Sequence, residues 1–462
     1  MQLSFHGANR KVTGSCTLIK CAGKRILIDC GLHQGGLEAS EENSRPFGFL
    51  PSQIDFVVLT HAHLDHCGRL PLLQKQGFKG EIICTSATRE LARLILLDSA
   101  HLQEEEARYQ ERKAVRHGHN PEYKPLYNLI DTLACFDRFG RTAHYEETID
   151  LAPGVRMTLY NAGHILGSAS ALFELEEEGR KKRVLVSGDI GTKNPPLLNP
   201  PKPPTGVDVV VMETTYGNRL HKPLAPSVEE FYQAINSTFE RGGNVIIPTF
   251  ALERAQELLH YLRLGIEQKI LPSGLQVFLD SPMAISATEI FRKHVRSFSV
   301  RTQHLFQNGR DPFGFKGLHF IKESADSMAL NRIKAGAVIM AGSGMCNGGR
   351  IRHHLKHNLW RSECSVVFVG FAVEGSLARR VIDGAEHVRL FREDIPVRAS
   401  IHTINGFSAH ADQEELLNWY QQTGEPSQTF LIHGEEEAMN AFAGKLSDTQ
   451  IHMPHLHTEF PI

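Results

Sequence analysis

The chain has 462 residues, of which 41% are hydrophobic and 22% charged, with a formal net charge of −2 at pH 7. This composition is ordinary for a globular protein and excludes a strongly basic nucleic-acid coat protein. The length predicts two domains, or one domain with a large insertion. No apolar run approaches the ~20 residues that cross a bilayer, and the N-terminus lacks the features of a signal peptide. Eight cysteines without paired spacing predict reduced thiols, so we expect a cytoplasmic protein.

The first half of the chain alternates apolar runs with helical patterns. The runs are rich in Val, Ile and Leu, which predicts strands covered on both faces; they read KRILIDCG, IDFVVLT, EIICTS, VRMTLYNAG, RKKRVLVSGDIG and VDVVVMETTYG. The longest helical pattern is ATRELARLILLDSAHLQEEEARYQERK. Its first half is amphipathic and its second half mostly charged, which predicts a helix that ends as a solvated extension. The proline-rich stretch 194–204 predicts a rigid, extended connector.

A second set of strand and helix patterns follows. Each apolar run precedes a turn and a helical pattern, as in βα units; the runs begin GNVIIPTFALERAQELLHYLRL, LQVFLDSPMA, AGAVIMAGSGM and SVVFVGF. The last two segments, VRASIHTINGFSAHAD and SQTFLIHGEEEAMNAFAGKL, again place a histidine after a strand. The chain as a whole is therefore predicted to be α/β.

Polar side chains recur where predicted strands end. They are Asp29, His61, His63, Asp65, His66, His164, Asp189, Glu213, His410 and His433. In open α/β sheets, ligands gather at the carboxyl edge of the strands. We therefore expect loops from separate strands to bring these side chains together.

The densest group lies in HAHLDH, directly after an apolar run. Alternate residues of an extended segment point the same way, so His61 and His63 can hold one ion. Asp65 and His66, past a turn, can face a neighbouring position. Imidazole nitrogen and carboxylate oxygen are common ligands of Zn²⁺. A cluster of this kind favours a metal site over a polar loop with chance histidines.

These motifs resemble those of a known family. THAHLDHCG is similar to the HxHxDH signature of the metallo-β-lactamase fold, and GHILGS and SGDIG follow in that family's order. METTYG, FSAHAD and LIHGE resemble the three motifs of its β-CASP branch, which processes nucleic acids. PTFALERAQE, FLDSPMA and GSGMCNGGRIRHHLKHNL resemble the domain inserted in bacterial and archaeal ribonucleases and in the pre-mRNA 3′-end cleavage subunit.

The resemblance implies a fold and its division along the chain. The fold is an αββα metallo-β-lactamase sandwich with an inserted α/β β-CASP domain. Residues 1–213 would form the first part of the sandwich, 214–399 the inserted domain and 400–462 the C-terminal return. We expect the inserted domain to act as a lid over the metal edge.

The resemblance also implies a role for each polar residue. Two Zn²⁺ ions per chain are expected, with ligands drawn from His61, His63, Asp65, His66, His164, Asp189 and His433. His61, His63 and His164 would hold one ion, and Asp189 would bridge to the second. Asp65, His66 and His433 would complete the second site. The catalytic residues would be Asp65, Glu213 and His410, with His410 as general acid and Glu213 behind it. Asp29 would orient a ligand histidine. Cys67 and Cys346 lie within motifs but have no expected role.

A glycine-rich turn, AGSGMCNGG, follows one strand of the inserted domain. Such a turn exposes backbone amides to an anion, although an ordinary tight turn has the same composition. The resemblance implies RNA or phosphate contacts at Thr249, Arg254, Ser343, Gly344, Met345 and Arg350. The basic helical pattern after this turn is equally typical of a solvated surface.

The predicted function is zinc-dependent cleavage of single-stranded RNA by an endoribonuclease of RNA processing or decay. Four alternatives stay open: an RNA exonuclease or a DNA nuclease of the same branch, a glyoxalase-type thioester hydrolase, and an inactive RNA-binding partner subunit. His433 argues against the DNA-directed members, and the large insertion with His410 and Glu213 argues against the thioester hydrolase. The intact ligand set argues against the inactive subunit. The lack of a long C-terminal oligomerisation domain favours an endonuclease; no membrane contact is expected, and a homodimer is left open.

Overall fold

The chain folds into two compact units. The computed structural model describes residues 1–35, 37–117, 123–370, 372–373 and 375–462, apart from the side chain of residue 37. The first unit comprises Met1–Pro195, Asn199–Leu220 and His410–Ile462, and the second comprises Pro196–Leu198 and His221–Ala409. The predicted insertion, 214–399, falls largely within the second unit.

The strands in chain order are β1 (Gln2–Gly7), β2 (Cys16–Cys21), β3 (Lys24–Ile28), β4 (Phe56–Val58), β5 (Glu81–Cys84), β6 (Phe139–Thr142), β7 (Thr148–Ala152), β8 (Val155–Asn161), β9 (Ala169–Glu177), β10 (Arg180–Val186), β11 (Val209–Glu213), β12 (Val245–Pro248), β13 (Gln276–Asp280), β14 (Leu318–Phe320), β15 (Ala337–Ala341), β16 (Ser365–Val369), β17 (His387–Leu390), β18 (Glu393–Pro396), β19 (Ser400–Ile404), β20 (Gln428–Ile432), β21 (Gln450–His452) and β22 (Glu459–Pro461).

The α-helices in chain order are α1 (Leu37–Ser44), α2 (Leu64–Cys67), α3 (Leu70–Lys75), α4 (Ser86–Arg116), α5 (Leu129–Phe136), α6 (Leu224–Glu240), α7 (Arg254–Glu267), α8 (Pro282–Lys293), α9 (Val300–Gln307), α10 (Ser324–Leu330), α11 (Ile351–Asn358), α12 (Leu377–Ile382), α13 (Gln413–Gln422) and α14 (Glu436–Ala443). Short 3₁₀ helices span Pro51–Gln53 and Val295–Ser297. Among the described residues, no helix is both long and apolar enough to cross a bilayer.

Two mixed sheets make up the first unit. Their strand orders are β22-β1-β2-β3-β4-β5-β6 and β21-β20-β11-β10-β9-β8-β7. The apolar faces of the two sheets meet in one core, where Phe5 and Ile28 of the first sheet join Phe173, Val211 and Phe430 of the second. In both sheets the parallel strands lie together, β3 to β6 in one and β10, β11, β20 and β21 in the other. Their carboxyl ends carry the candidate site.

The outer faces of these sheets are also buried. Leu416, Trp419 and Phe442 of α13 and α14 pack on Leu185 and Leu431 of the second sheet. Alternate residues of the first sheet point away from the shared core, yet they too are buried; they are Leu18, Leu27, Val57 and Ile82. The layers match the predicted αββα sandwich, and the α/β fold class is confirmed.

The second unit is built on one parallel sheet. Its strand order is β14-β13-β15-β12-β16-β19, and β17 pairs with β18 in a separate hairpin. Ile246, Ile339 and Val366 of the sheet pack against Leu355 of α11 and Val381 of α12. Because β12 and β15 are neighbours in register, with Pro248 opposite Ala341, the turns that follow them lie side by side.

Candidate active site

Loops from both sheets of the first unit supply the predicted polar side chains. Asp29 follows β3, and His61 to His66 follow β4. His63 is the residue before the single-turn helix α2, which begins at Leu64 and carries Asp65 and His66. The rings of His61 and His66 lie close together, with centroids 4.0 Å apart, but their Nε2 atoms approach different oxygens of Asp189. The second sheet contributes residues after β8, β10 and β20 and at the end of β11; these are His164, Asp189, His433 and Glu213.

One cluster of donor atoms is formed by three histidines and Asp189. The Nδ1 atom of His63 lies 3.2 Å from Nε2 of His61 and 3.1 Å from Nε2 of His164. Oδ2 of Asp189 lies 3.4 Å from Nε2 of His61 and 3.6 Å from Nε2 of His164. All four donor atoms fall within 4.8 Å of one another, which is close enough to surround one ion.

A second cluster lies on the other side of Asp189. Asp65, His66 and His433 also offer atoms within 4.8 Å of one another, and Oδ2 of Asp65 lies 3.5 Å from Nε2 of His433. Oδ1 of Asp189 lies 3.2 Å from Nε2 of His66 and 3.6 Å from Nδ1 of His433. The two carboxylate oxygens of Asp189 therefore face different clusters.

The second cluster contains buried polar atoms with no hydrogen-bond partner among the described residues. They are Nε2 of His66, Oδ1 of Asp189 and Nε2 of His433. A buried polar atom without a partner costs free energy on folding, unless a ligand completes it. Nitrogen and carboxylate donors in two adjacent sets fit a pair of divalent cations such as Zn²⁺.

The protonation of the first cluster suits metal binding. Burial lowers the pKa of His61, His63 and His164, that of His63 to about 3. These imidazoles are therefore neutral at pH 7, and neutral imidazole is the form that binds metal. In the second cluster, burial lowers the pKa of His66 and His433, but Asp189, together with Asp29 at His66 and Asp65 at His433, outweighs burial and raises both pKa values.

Asp29 holds His66 in place. Its Oδ2 atom accepts a hydrogen bond from Nδ1 of His66 at 2.7 Å and another from the Thr60 hydroxyl at 2.8 Å, while Oδ1 accepts the backbone N–H of Thr60 at 2.8 Å. This leaves Nε2 of His66 directed at Asp189, as in the carboxylate–histidine pairs that orient metal ligands. Asp29 and His433 both adopt positive φ angles, of 60° and 49°, which few residues other than glycine tolerate.

His410 and Glu213 form a third group beside Asp189. Nδ1 of His410 lies 3.1 Å from Oε1 of Glu213, and its Nε2 lies 4.0 Å from Oδ2 of Asp189. Glu213 is buried and also accepts the backbone N–H groups of Ile190 at 2.6 Å and Thr215 at 3.2 Å. Burial lowers the pKa of His410, but the carboxylates of Glu213 and Asp189 outweigh it and raise that pKa to about 9.

Part of the predicted RNA-contact set lies together in the second unit. Thr249 follows β12 and donates its backbone N–H to Ala341 at the end of β15. The glycine-rich turn begins at the next residue, so Thr249 and Ser343 lie on neighbouring turns. The half-exposed ring of Phe250 covers Gly344 so closely that a Cβ there would lie 2.7 Å from the ring.

The other predicted contacts already have partners within the second unit. Arg254 is buried and paired with Glu257. The Arg350 guanidinium donates to Oδ1 of Asp280 at 2.7 Å and to the carbonyl of Lys322 at 2.7 Å. The backbone carbonyl of Met345 accepts from Ala378, and its sulfur accepts from Val373. RNA contact at these residues stays a prediction.

Sequence reasoning missed several neighbours of the site. Thr60 bonds Asp29 and lies 3.1 Å from Nδ1 of His61, and the hydroxyl of Thr215 lies 3.2 Å from Nδ1 of His433. Both threonines adjoin residues that the motifs single out, so their position in the chain was a usable signal. Phe250 has a comparable signal, since it follows Thr249.

Three family models match consecutive parts of the chain. The metallo-beta-lactamase superfamily model matches residues 10–249, and the Beta-Casp domain model matches residues 255–381. The model of the Zn-dependent metallo-hydrolase RNA specificity domain matches residues 394–454.

Similar proteins carry related names. The protein named Ribonuclease TTHA0252 from Thermus thermophilus is 40% identical over 96% of both chains. The chain belongs to the β-CASP family of metallo-β-lactamase-fold ribonucleases. An RNase J-like protein from Methanocaldococcus jannaschii is 30% identical over 96% of this chain and 94% of its own. The transcription termination factor FttA from Methanosarcina mazei is 32% identical over 94% of this chain, which spans 66% of that protein.

A solved structure shares the fold over the whole length. It is described as a protein of unknown function from Enterococcus faecalis V583, and it covers 99% of both chains with a TM-score of 0.55 and 12% identity. At that identity the likeness shows the fold alone. The predicted family and the predicted enzyme class, a metal-dependent hydrolase of a ribonuclease family, are confirmed.

Proposed function

We propose that this hydrolase is a two-zinc endoribonuclease that cuts single-stranded RNA. One observation carries the proposal: the carboxylate of Asp189 lies between two sets of buried donors, with one oxygen toward each. Two ions held this way, ~3.5–4 Å apart, are the arrangement used for in-line displacement at phosphorus. A single structural zinc would need one closed set of four ligands and would leave the other set unused.

The first ion would be held by His61, His63 and His164, and the second by Asp65, His66 and His433, with Asp189 shared. When bound, such ions lower the pKa of a water molecule and offset the negative charge of the phosphate. The protein's own task is to fix the donors. Burial keeps the first three imidazoles neutral, and Asp29 fixes the ring of His66.

His410 would protonate the leaving oxygen. Glu213 is held by two backbone N–H groups and engages Nδ1 of His410, so Nε2 is the atom on the Asp189 side and would donate the proton. The raised pKa keeps a proton on this imidazole at neutral pH, as a general acid requires. Cations bound beside Asp189 would pull that pKa back toward neutrality, which favours proton release.

RNA is the favoured polymer for two reasons. The model that matches residues 394–454 is described as an RNA specificity domain, and relatives that match most of this chain are named ribonucleases.

All eight cysteines are free and buried, in keeping with work in the reducing cytoplasm.

A DNA nuclease and an RNA exonuclease of the same branch are the close alternatives, and both would use the same metal centre. A glyoxalase-type thioester hydrolase would have no need of the His410–Glu213 pair. An inactive RNA-binding subunit would not need nine polar side chains gathered around Asp189.

The deciding experiment compares labelled single strands. Zinc-loaded protein is incubated with RNA and with DNA of one sequence, each labelled at the 5′ end or internally. Fragments of intermediate length from RNA alone are expected. Mononucleotides from the outset would indicate an exonuclease, and equal cleavage of DNA would contradict RNA specificity. A thioester such as S-lactoylglutathione, offered in parallel, should be left intact.

The preference for unpaired RNA is tested with the same strand annealed to its complement. We expect the duplex to be cut far more slowly, because a single strand can reach the metal centre with its bases splayed apart and a duplex cannot. Equal rates on both would contradict this part of the proposal.

A further inference from the structure

The C-terminal half of α4 exposes one continuous face. Helix α4 runs from Ser86 to Arg116, and its first half is buried through residues such as Leu91 and Leu96. Beyond His101 the helix instead exposes three large apolar side chains, Val115 (62% exposed) and, together on another face, Leu102 (55%) and Tyr109 (49%). None of the three belongs to the core or to the active site. Their exposure on a charged helix therefore calls for a partner.

The exposed residues form a stripe along the helix, which we call the α4 stripe. It consists of Leu102, Glu105, Glu106, Tyr109, Arg112, Lys113 and Arg116. Residues three, four and seven apart share a face of an α-helix, so these side chains lie within an arc of about 120° centred on Tyr109. A shallow groove is lined by members of this stripe together with Arg108.

Charge is ordered along the α4 stripe. The two acidic residues, Glu105 and Glu106, lie one turn before Tyr109, and the two basic residues, Arg112 and Lys113, lie one turn after it. An antiparallel copy of the same stripe would reverse this order. The glutamates of each copy would then lie opposite the basic residues of the other copy, on both sides of Tyr109. In a parallel arrangement, residues of like charge would lie opposite one another.

We propose that the α4 stripe binds the α4 stripe of a second copy of this chain, antiparallel, with Tyr109 at the twofold axis. The helical geometry fixes the contacts. Glu106 of one copy lies opposite Lys113 of the other on one flank, and Glu105 lies opposite Arg112 on the other flank. Leu102 packs against the aliphatic part of Arg116 of the second copy. A twofold contact of this kind is self-complementary and closes after two chains.

The proposed dimer is weak, so the fraction of chains in the dimer depends on protein concentration. A contact between two helices of this length falls below the ~1,200 Å² typical of stable complexes. Helix α5 contacts α4 on another side, where the N–H of Leu129 donates to Glu104 at 2.8 Å, so the contact consists of the α4 stripe alone. The existing contacts of the α4 stripe are exposed bonds within the helix, such as His101 to Glu105 at 3.4 Å. These are easily exchanged for contacts with the second copy.

The test uses two opposite charge reversals. One variant, Glu105→Lys/Glu106→Lys, carries only basic flanks, and the other, Arg112→Glu/Lys113→Glu, carries only acidic flanks. Sedimentation velocity on the full-length wild-type protein should show a monomer–dimer equilibrium in the micromolar range that shifts toward monomer at high salt. Each variant alone should remain monomeric at those concentrations. An equal mixture of the two should restore dimers.

Controls separate this surface from folding and from catalysis. Lys181→Glu changes an exposed charge on β10, a strand of the second sheet, and should leave the equilibrium unchanged. All variants should retain the wild-type circular dichroism and zinc content, since the α4 stripe includes no metal donor. A wild-type protein that stays monomeric at every concentration would overturn the proposal. Dimers that survive both single reversals, or a mixture that stays monomeric, would overturn it equally.

Discussion

Nδ1 of His410 lies 3.1 Å from Oε1 of Glu213, and that same oxygen accepts the backbone N–H of Ile190 at 2.6 Å. The carboxylate is thus fixed before it meets the imidazole. A histidine held at Nδ1 presents Nε2 in one direction, which is the condition for a positioned proton donor.

Replacing His410 with alanine should slow RNA cleavage by about 10²–10⁴-fold, the usual contribution of a positioned general acid. Zinc content and RNA affinity should stay close to wild type, because His410 lies outside both donor clusters as we assign them. Single-turnover cleavage and elemental analysis on one preparation provide the measurement. Loss of an ion together with activity would make His410 a ligand, and unchanged cleavage would make it a bystander.

Replacing Glu213 with glutamine should cost less than replacing His410. The imidazole remains but loses the carboxylate that raises its pKa, so the fraction of protonated His410 should fall. His410 should therefore lose its proton at a lower pH in the variant than in the wild type. A pH–rate profile of the zinc-loaded variant measures this, and a profile whose alkaline limb does not move would contradict the role assigned to Glu213.

Removing His433 should empty one metal position selectively. The cluster of His61, His63 and His164 keeps its three nitrogens, whereas Asp65 and His66 with the shared Asp189 make a weaker site, because only one nitrogen remains. His433→Ala should therefore bind close to one zinc ion where the wild type binds close to two. Elemental analysis after dialysis decides the matter, and a variant that still holds two ions would remove His433 from the ligand set.

Replacing Asp29 should lower the affinity for metal, although Asp29 is not itself a proposed metal ligand. Asp29→Asn offers an amide N–H to Nδ1 of His66, where a carboxylate now accepts a hydrogen bond, so the ring loses its present orientation. Zinc affinity should fall by about 10–100-fold, as is usual for such partners. Chelator competition measures this change. The control variant is Asp55→Asn, which alters a carboxylate that accepts hydrogen bonds from Lys24 and from the backbone N–H of Arg25 and not from a histidine. This variant should bind zinc normally.

The second unit should depend on Asp280 for its stability. Asp280 is fully buried and receives hydrogen bonds from Arg350, from His354 at 2.6 Å and from Ser327 at 2.6 Å. Asp280→Asn should destabilise this unit by about 3 kcal/mol, since it leaves the Arg350 guanidinium without its counter-charge. Ser327→Ala, which removes one neutral donor, should cost about 1 kcal/mol. Chemical denaturation at pH 7 measures both, and equal losses would contradict the ionic character of the network.

The same network predicts a pH dependence. Burial raises the pKa of Asp280, but the hydrogen bonds from His354, Ser327 and Arg350 outweigh burial and lower it. A lowered carboxyl pKa gives stability that is present above the usual aspartate pKa of ~4 and is lost as the pH falls below it. The difference between wild type and Asp280→Asn should therefore shrink as denaturation is repeated at progressively lower pH. A constant difference would contradict the lowered pKa.

The sequence was most informative where a strong local pattern coincides with burial on both faces. The runs that became β3, β4, β5, β8, β10 and β11 were all predicted, because continuous apolar residues have few alternatives to a covered strand. Strands β1 and β2 were not predicted. Their sequences, QLSFHG and CTLIKC, mix polar and apolar residues, and it is their mutual pairing, with Leu3 opposite Ile19, that makes them strands.

The candidate metal donors could be grouped from the sequence for a related reason. Each follows a strand, so the rule that carboxyl ends gather ligands was enough to group them. The pairing of Arg350 with Asp280 was beyond such reasoning. The two residues lie 70 positions apart, and a basic helix after a glycine-rich turn gives no sign that its first arginine is directed inward. Which contacts a charged side chain makes is decided by tertiary packing.

The order of the donors along the chain has a consequence for biosynthesis. Asp29 is the earliest member of the site to leave the ribosome, but His433 is the last, and the whole of the second unit is made between Asp189 and His410. At ~5–20 residues per second, the stretch from Asp189 to His433 takes on the order of 10–50 s to synthesise. Until His410 is made, the nascent polypeptide, still tethered to its own messenger, lacks the proposed proton donor, and until His433 is made it lacks the last proposed metal ligand. With the site proposed above, the chain could not cut the transcript that encodes it until translation is nearly complete.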